Sequence, residues 1–157
     1  MIKGLHHNAY RCRDSEETRA FYEDFLGLRM VSAFEINKGR ALHTFFEMDD
    51  GSCLAFFEAP DMPFEFKKQH DYDLHIALEV EPAAIQEMLA KGKAQGIETR
   101  GVSDHGFIHS IYFRDPNGYV IELTAKQAGH DTEMNPRKNS AREKLERWTK
   151  HRREQAR

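Results

Sequence analysis

The feature that most constrains this chain is that it repeats itself. Two stretches, about 3–59 and 73–125, share one grammar, and a connector from Pro60 to Tyr72 joins them. Each opens on a strand-like run containing His-x-Ala, His7-Asn8-Ala9 in the first and His75-Ile76-Ala77 in the second. A helix signal follows each. In the first, Asp14 with Glu17 marks a start, Phe21, Phe25 and Leu28 space an apolar stripe, and Gly27 lies near the end. In the second, Pro82 suits the first helical position, Ile85, Met88 and Leu89 form the stripe, and Gly96 is the stop. Three strand-like segments then complete each half, roughly 29–36, 41–48 and 52–59, then 98–103, 106–114 and 119–125. The last pair in each half is joined by an Asp/Gly turn, Asp49-Asp50-Gly51 or Asp115-Pro116-Asn117-Gly118. The prediction is βαβββ twice, an α+β chain whose sheets have one face under a helix and one face open.

Alternation says what lies on the open face. In Leu74 to Val80 every even position is apolar, so Ile76 and Leu78 pack under the helix while His75, Ala77 and Glu79 point away. In the last strand Ile121 and Leu123 suit the helix side, which puts Glu122 on the open face with His75. The first strand has no clean alternation, but overlaying His-x-Ala on His-x-Ala puts His7, not His6, at the place of His75. The same overlay puts Ala55 at the place of Glu122 and leaves Glu58 further along, on the opposite face, where it reads as a rim carboxylate. If Asp115 to Gly118 is a type I turn closing on a left-handed Gly118, Asp115 pairs with Tyr119 and Tyr112 with Glu122, so Tyr112 shares the open face. His109 then falls on the helix face.

Charge separates a body from a tail. Residues 136–157 hold nine Lys/Arg against three Asp/Glu, net +6, so the chain's overall −3 leaves −9 on residues 1–135. Within residues 127–157, a basic and helical extension, Ser140 to Glu143 has the form of a capping box and only Leu145 and Trp148 offer apolar contact. A solvated surface helix docked on its own acidic body is expected there, with no nucleic-acid partner. The longest apolar run is five residues, Cys53 to Phe57, far short of the roughly 20 that span a bilayer. With no export-type apolar segment at the start, the cytoplasm is the default compartment, and Cys12 and Cys53 read as small buried residues rather than a disulfide. Phosphate loops, serine-hydrolase spacing and Cys-x-x-Cys are absent from the sequence.

Chemistry is left to His7, His75 and Glu122, which converge if the two sheets face each other across a cup. Two imidazoles and a carboxylate on one side of a cation, with open positions opposite, suit Fe(II) or Mn(II), with Zn or Ni as alternatives.

With His7-Asn8-Ala9-Tyr10, Thr18 to Leu28, His75-Ile76-Ala77-Leu78 and Asp115-Pro116-Asn117-Gly118 to Glu122-Leu123, residues 3–126 resemble the vicinal oxygen chelate superfamily, which includes glyoxalase I, fosfomycin-resistance proteins and extradiol dioxygenases. The resemblance implies one domain over residues 1–126, paired modules forming a cupped mixed sheet around one divalent metal held by His7, His75 and Glu122, and a homodimer. His105, then Ile111-Tyr112, Asp115 to Gly118 and Glu122 look like the extradiol C-terminal signature, and this puts ring-cleaving dioxygenase chemistry first, with Tyr112 and His105 beside the metal. A glyoxalase-like isomerase or lyase is the alternative, with Glu58 or Glu122 as base and Arg11 at the position that helps hold glutathione. A third expectation is a metal-free small-ligand or drug-binding protein with Phe45, Phe46, Phe56 and Phe57 around the ligand.

Overall fold

A computed structural model describes residues 1–155. Its first module is β1 (His7–Cys12), α1 (Ser15–Arg19), β2 (Arg29–Ile36), β3 (Ala41–Glu47) and β4 (Cys53–Glu58), and its second is β5 (His75–Glu79), α2 (Pro82–Ala94), β6 (Thr99–Asp104), β7 (Ile108–Arg114) and β8 (Val120–Lys126). The sheets have matching orders, β1-β4-β3-β2 and β5-β8-β7-β6, and in each the first strand runs parallel to the last. The edge strands even carry equivalent irregularities, between Met30 and Ser32 and between Gly101 and Ser103.

Local chemistry sets the helices. Asp14 caps α1, accepting from the backbone N–H groups of Glu16 and Glu17 at 2.8 Å. Beyond Arg19 the coil widens into a π-helical stretch, Ala20–Phe25, so the first helix is not the single α-helix its apolar spacing predicts. That widening keeps Phe21, Tyr22 and Phe25 all buried. In α2, Pro82 does stand in the first turn, and Gly92 lets the helix approach β7, since a Cβ there would meet Phe113 Cε1 at 2.5 Å.

The core is shared. Phe21, Tyr22 and Phe25 from the first helix, Phe46, Leu54 and Phe56 from the first sheet, and Ile76, Ile111, Phe113 and Ile121 from the second form one apolar cluster. Phe25 meets Phe113 edge-on with ring centroids 5.0 Å apart. Both sheets therefore turn their helix-covered faces to the same core and leave their other faces outward.

A polar clamp locks the modules together at the Asp115–Gly118 turn. Asp115 accepts from Tyr22 Oη at 2.9 Å, from Asn117 Nδ2 at 3.0 Å and from the backbone N–H groups of Asn117 and Tyr119. Asn117 Oδ1 accepts from the Arg13 N–H at 2.8 Å, and Tyr119 donates to the Arg11 carbonyl at 2.7 Å. Burial raises the Asp115 carboxyl above the usual carboxylate range, against the hydrogen bonds that lower it. Gly118, at φ +96°, closes the turn as the spacing predicts.

The extension holds α3 (His130–Glu133) and α4 (Ala141–Gln155). Here two expectations are corrected. The Ala141 N–H bonds Asn139 Oδ1 while Ser140 has φ +52°, so the capping box does not form. Nor is α4 docked on the body: Leu145 and Trp148 are each 62% exposed, and among the described residues its ion pair beyond itself, Lys144 to Glu133, stays within the extension.

Candidate metal centre

The second module's open face carries a built constellation. His75 Nδ1 lies 2.7 Å from the Asp71 carbonyl, which can only accept, so Nδ1 carries a proton and Nε2 is aimed away from the connector. That Nε2 faces Glu122 Oε2 at 3.4 Å. Glu122 is 5% exposed, and its other neighbour is the Tyr112 hydroxyl, donating to Oε1 at 3.4 Å. An imidazole nitrogen and a buried carboxylate oxygen side by side are a donor set that fits a divalent metal with room for further ligands.

Around the pair the side chains interlock. His105 Nε2 lies 2.9 Å from the Tyr112 oxygen, so that hydroxyl stands between an imidazole and the carboxylate. Burial, and then the Glu122 charge, raise the Tyr112 phenol above its ordinary value and keep it protonated. Arg100 spreads over the Tyr112 ring, 4.4 Å from its centroid, and pairs with Asp71 Oδ2 at 2.6 Å. Burial alone would push the Asp71 carboxyl up, but the Arg100 hydrogen bond and charge win and hold it low. Asp71 thus serves two groups, its backbone aiming His75 and its side chain fixing Arg100. The cavity they line measures about 390 Å³. Register delivers these contacts: Tyr112 pairs with Glu122 across β7 and β8, and Arg100 with Tyr112 across β6 and β7.

His7 lies elsewhere. It stands on the first module's open face, with ring centroid 5.2 Å from Phe45 and 6.3 Å from His43, and its Nδ1 is 2.8 Å from that of His6. Among the described residues no three His, Cys, Asp or Glu side chains gather closely enough to hold one ion. One copy of the chain brings together His75, Glu122, Tyr112 and His105 and does not bring His7 to them, because the shared core occupies the other face of each sheet. Glu58 stands on the helix side of β4, where its Oε2 accepts from the Ser15 N–H at 2.8 Å. His109 stands 3.6 Å from Asp104, and Arg11 ties down the connector through the Ala59 and Met62 carbonyls at 2.9 and 2.8 Å. His43 was not singled out by sequence; it is buried, donates Nδ1–H to the Phe56 carbonyl at 2.9 Å and stacks on Phe57 at 3.7 Å. Parity on β3 would have placed it beside His7. Arg100 was legible in the same way, while Asp71, in the connector, has no periodic signal.

The model of the Glyoxalase/Bleomycin resistance protein/Dioxygenase superfamily matches residues 4–123. The chain belongs to this superfamily. Within it, a lactoylglutathione lyase of Neisseria meningitidis is 29% identical over 139 residues, covering 82% of this chain and 94% of the relative. A glyoxalase/dioxygenase from Nostoc punctiforme superposes with a TM-score of 0.65 at 23% identity, covering 80% of this chain and 92% of that one. A point mutant of the fosfomycin resistance protein FosX of Listeria monocytogenes, in a complex with Mn(II) and 1S,2S-dihydroxypropylphosphonic acid, superposes with a TM-score of 0.63 at 23% identity over 83% and 98% of the two chains. At such identity the last two establish a shared fold.

Proposed function

We propose that the chain is a divalent-metal enzyme acting on a small substrate bound through two neighbouring oxygens. Its centre takes His75 and Glu122 from one copy and the partner's His7. The observation that carries this reading is His75 Nε2 facing the buried Glu122 Oε2 at 3.4 Å on the open face. Since His7 and Glu122 occupy open faces on opposite sides of one core, a second copy laid face to face supplies what each lacks. When bound, the metal supplies a Lewis acid for adjacent substrate oxygens.

The chain's own residues then define the chemistry. Tyr112, kept protonated, turns its single O–H from Glu122 to a substrate oxygen, and His105, with Nε2 2.9 Å from the Tyr112 oxygen, donates to that oxygen and holds it in place. Arg100 caps the Tyr112 ring and closes the cavity wall. This phenol–imidazole pair supports ring cleavage of a catechol-type substrate as the first reading. Ala55, standing where a fourth ligand would, also favours a three-residue centre over a glyoxalase I-like one. A glyoxalase-like isomerase or lyase is the second reading, favoured by the lactoylglutathione lyase relative. Here Glu122 is the base rather than Glu58, which is engaged with Ser15.

Anaerobic purification followed by metal analysis of the wild type, His75→Ala and Glu122→Ala tests the reading. Fe or Mn lost in both variants, with oxygen uptake on catechols, supports it. Zn or Ni with lactoylglutathione formation moves the second reading ahead, and failure to bind any divalent metal after reconstitution removes both.

A further inference from the structure

At the seam between the modules runs a half-covered apolar groove of about 390 Å³. Leu28, Met48, Val80 and Met88 line it, each only partly buried against the core. Acidic side chains rim it, among them Asp49, Glu79 and Glu87. Glu79 is paired with Lys126, whereas Asp49 and Glu87 have no ion pair among the described residues.

The same chain carries a complementary shape. On α4, Leu145 and Trp148 stand three apart on one face, and Ala141 and Arg152 continue their line. Six Lys/Arg against three Glu on this helix surround that apolar pair with positive charge. Exposed apolar surface framed by an excess of positive charge is what an acidic-rimmed apolar groove accepts. The groove and the helix coexist in one molecule unjoined, with the α4 ion pair to Glu133 lying within the extension.

We propose that α4 is an exchange arm: in a dimer, each copy seats Leu145 and Trp148 in the seam groove of the other, with its basic flanks against Asp49 and Glu87. Two identical arms and two identical grooves satisfy a two-fold arrangement reciprocally and leave no arm over. The groove lies apart from His75 and Glu122, so the arm fastens the pair without entering the proposed metal centre.

Trp148 is the chain's single tryptophan, so its fluorescence reports the arm alone. Acrylamide quenching of the full chain is followed over a dilution series whose association state is set by sedimentation. The expected result is a blue-shifted, protected Trp148 in the dimer that becomes several-fold more quenchable on dilution to monomer. In Asp49→Lys/Glu87→Lys, and in the wild type at high salt, Trp148 should be quenchable even where dimer persists. Exposure of Trp148 at every concentration, or protection that survives in the monomer, overturns the proposal; the second result would place the arm in its own chain's groove. Indifference to both rim reversal and salt also overturns it. A dimer with exposed Trp148 contradicts the arm and leaves the two-copy metal centre standing, whereas a strict monomer contradicts both.

Discussion

The two open faces occupy equivalent places in equivalent sheets and have been filled with opposite chemistry. His7 matches His75, but Ala55 stands where the second module has Glu122, and Phe45, paired with Ala55, stands where Tyr112 pairs with Glu122. On the first face Phe34 and Phe45 stack at 5.9 Å and His43 lies on Phe57, an aromatic wall with imidazoles at its edge. The second has a carboxylate, a phenol and a guanidinium. Repetition has fixed the scaffold while divergence has made the faces unlike, and unlike faces are what a two-copy centre needs: one apolar wall bearing a histidine, one polar wall bearing the rest. The turns behind them diverged too. Asp50 bonds only Ser52 in an exposed hairpin, whereas Asp115 is the buried knot between modules.

The hardest break is at the polar face. Glu122→Ala and His75→Ala should each weaken metal binding by more than the ~10–100-fold typical of an outer-shell partner, read by titration with Mn(II). An unchanged affinity in either would return the face to a merely structural role. Next comes the contrast between turns. Asp115→Ala strands several buried donors and should cost about 3 kcal/mol in denaturant unfolding, against well under ~1 kcal/mol for Asp50→Ala. Because burial raises the Asp115 carboxyl, its ionisation opposes folding. The group's stabilising contribution is full below its unfolded value of about 4 and is lost as pH rises through the raised folded value. The melting temperature of the wild type should therefore fall relative to that of Asp115→Asn as pH rises through that window, and a relative rise would reverse the assignment.

Making the faces alike sharpens the comparison. Ala55→Glu puts a carboxylate at a buried site and should cost about 1–3 kcal/mol without metal, with a larger stabilisation by Mn(II) than the wild type shows. A smaller Mn(II) shift than in the wild type would mean that Ala55 does not face the centre. Tyr112→Phe should leave metal content intact and stability within ~1 kcal/mol while turnover falls about 10-fold or more. The smallest effect belongs to Glu58→Gln, about 0.5–1 kcal/mol from a weakened bond to the Ser15 N–H with turnover unchanged; lost turnover would put Glu58 back in the chemistry.

How much of this was legible follows from what each signal measures. Alternation placed His75, Glu122 and Tyr112 on one face because side-chain parity is local, and the Asp115–Gly118 turn fixed the pairing of Tyr112 with Glu122 for the same reason. The Ala-for-Glu exchange at Ala55 was legible from the repeat. What alternation cannot carry is which faces meet. His7 parts from Glu122 because Tyr22, Phe25 and Phe113 fuse the helix sides into one core, a choice made by packing between distant segments. The Asp115 knot and the support Asp71 gives to His75 were hidden likewise, since both join residues far apart in sequence or set in an aperiodic connector.

Mixing two inactive chains tests the two-copy centre most directly. His7→Ala and Glu122→Ala, each alone, should bind no metal. Unfolded together and refolded, the mixed pair has one centre with both lesions and one with neither, so metal should return at about one per mixed pair, with activity in proportion. Metal retained by His7→Ala alone, or a mixture as empty as its parents, would contradict a centre shared between two copies.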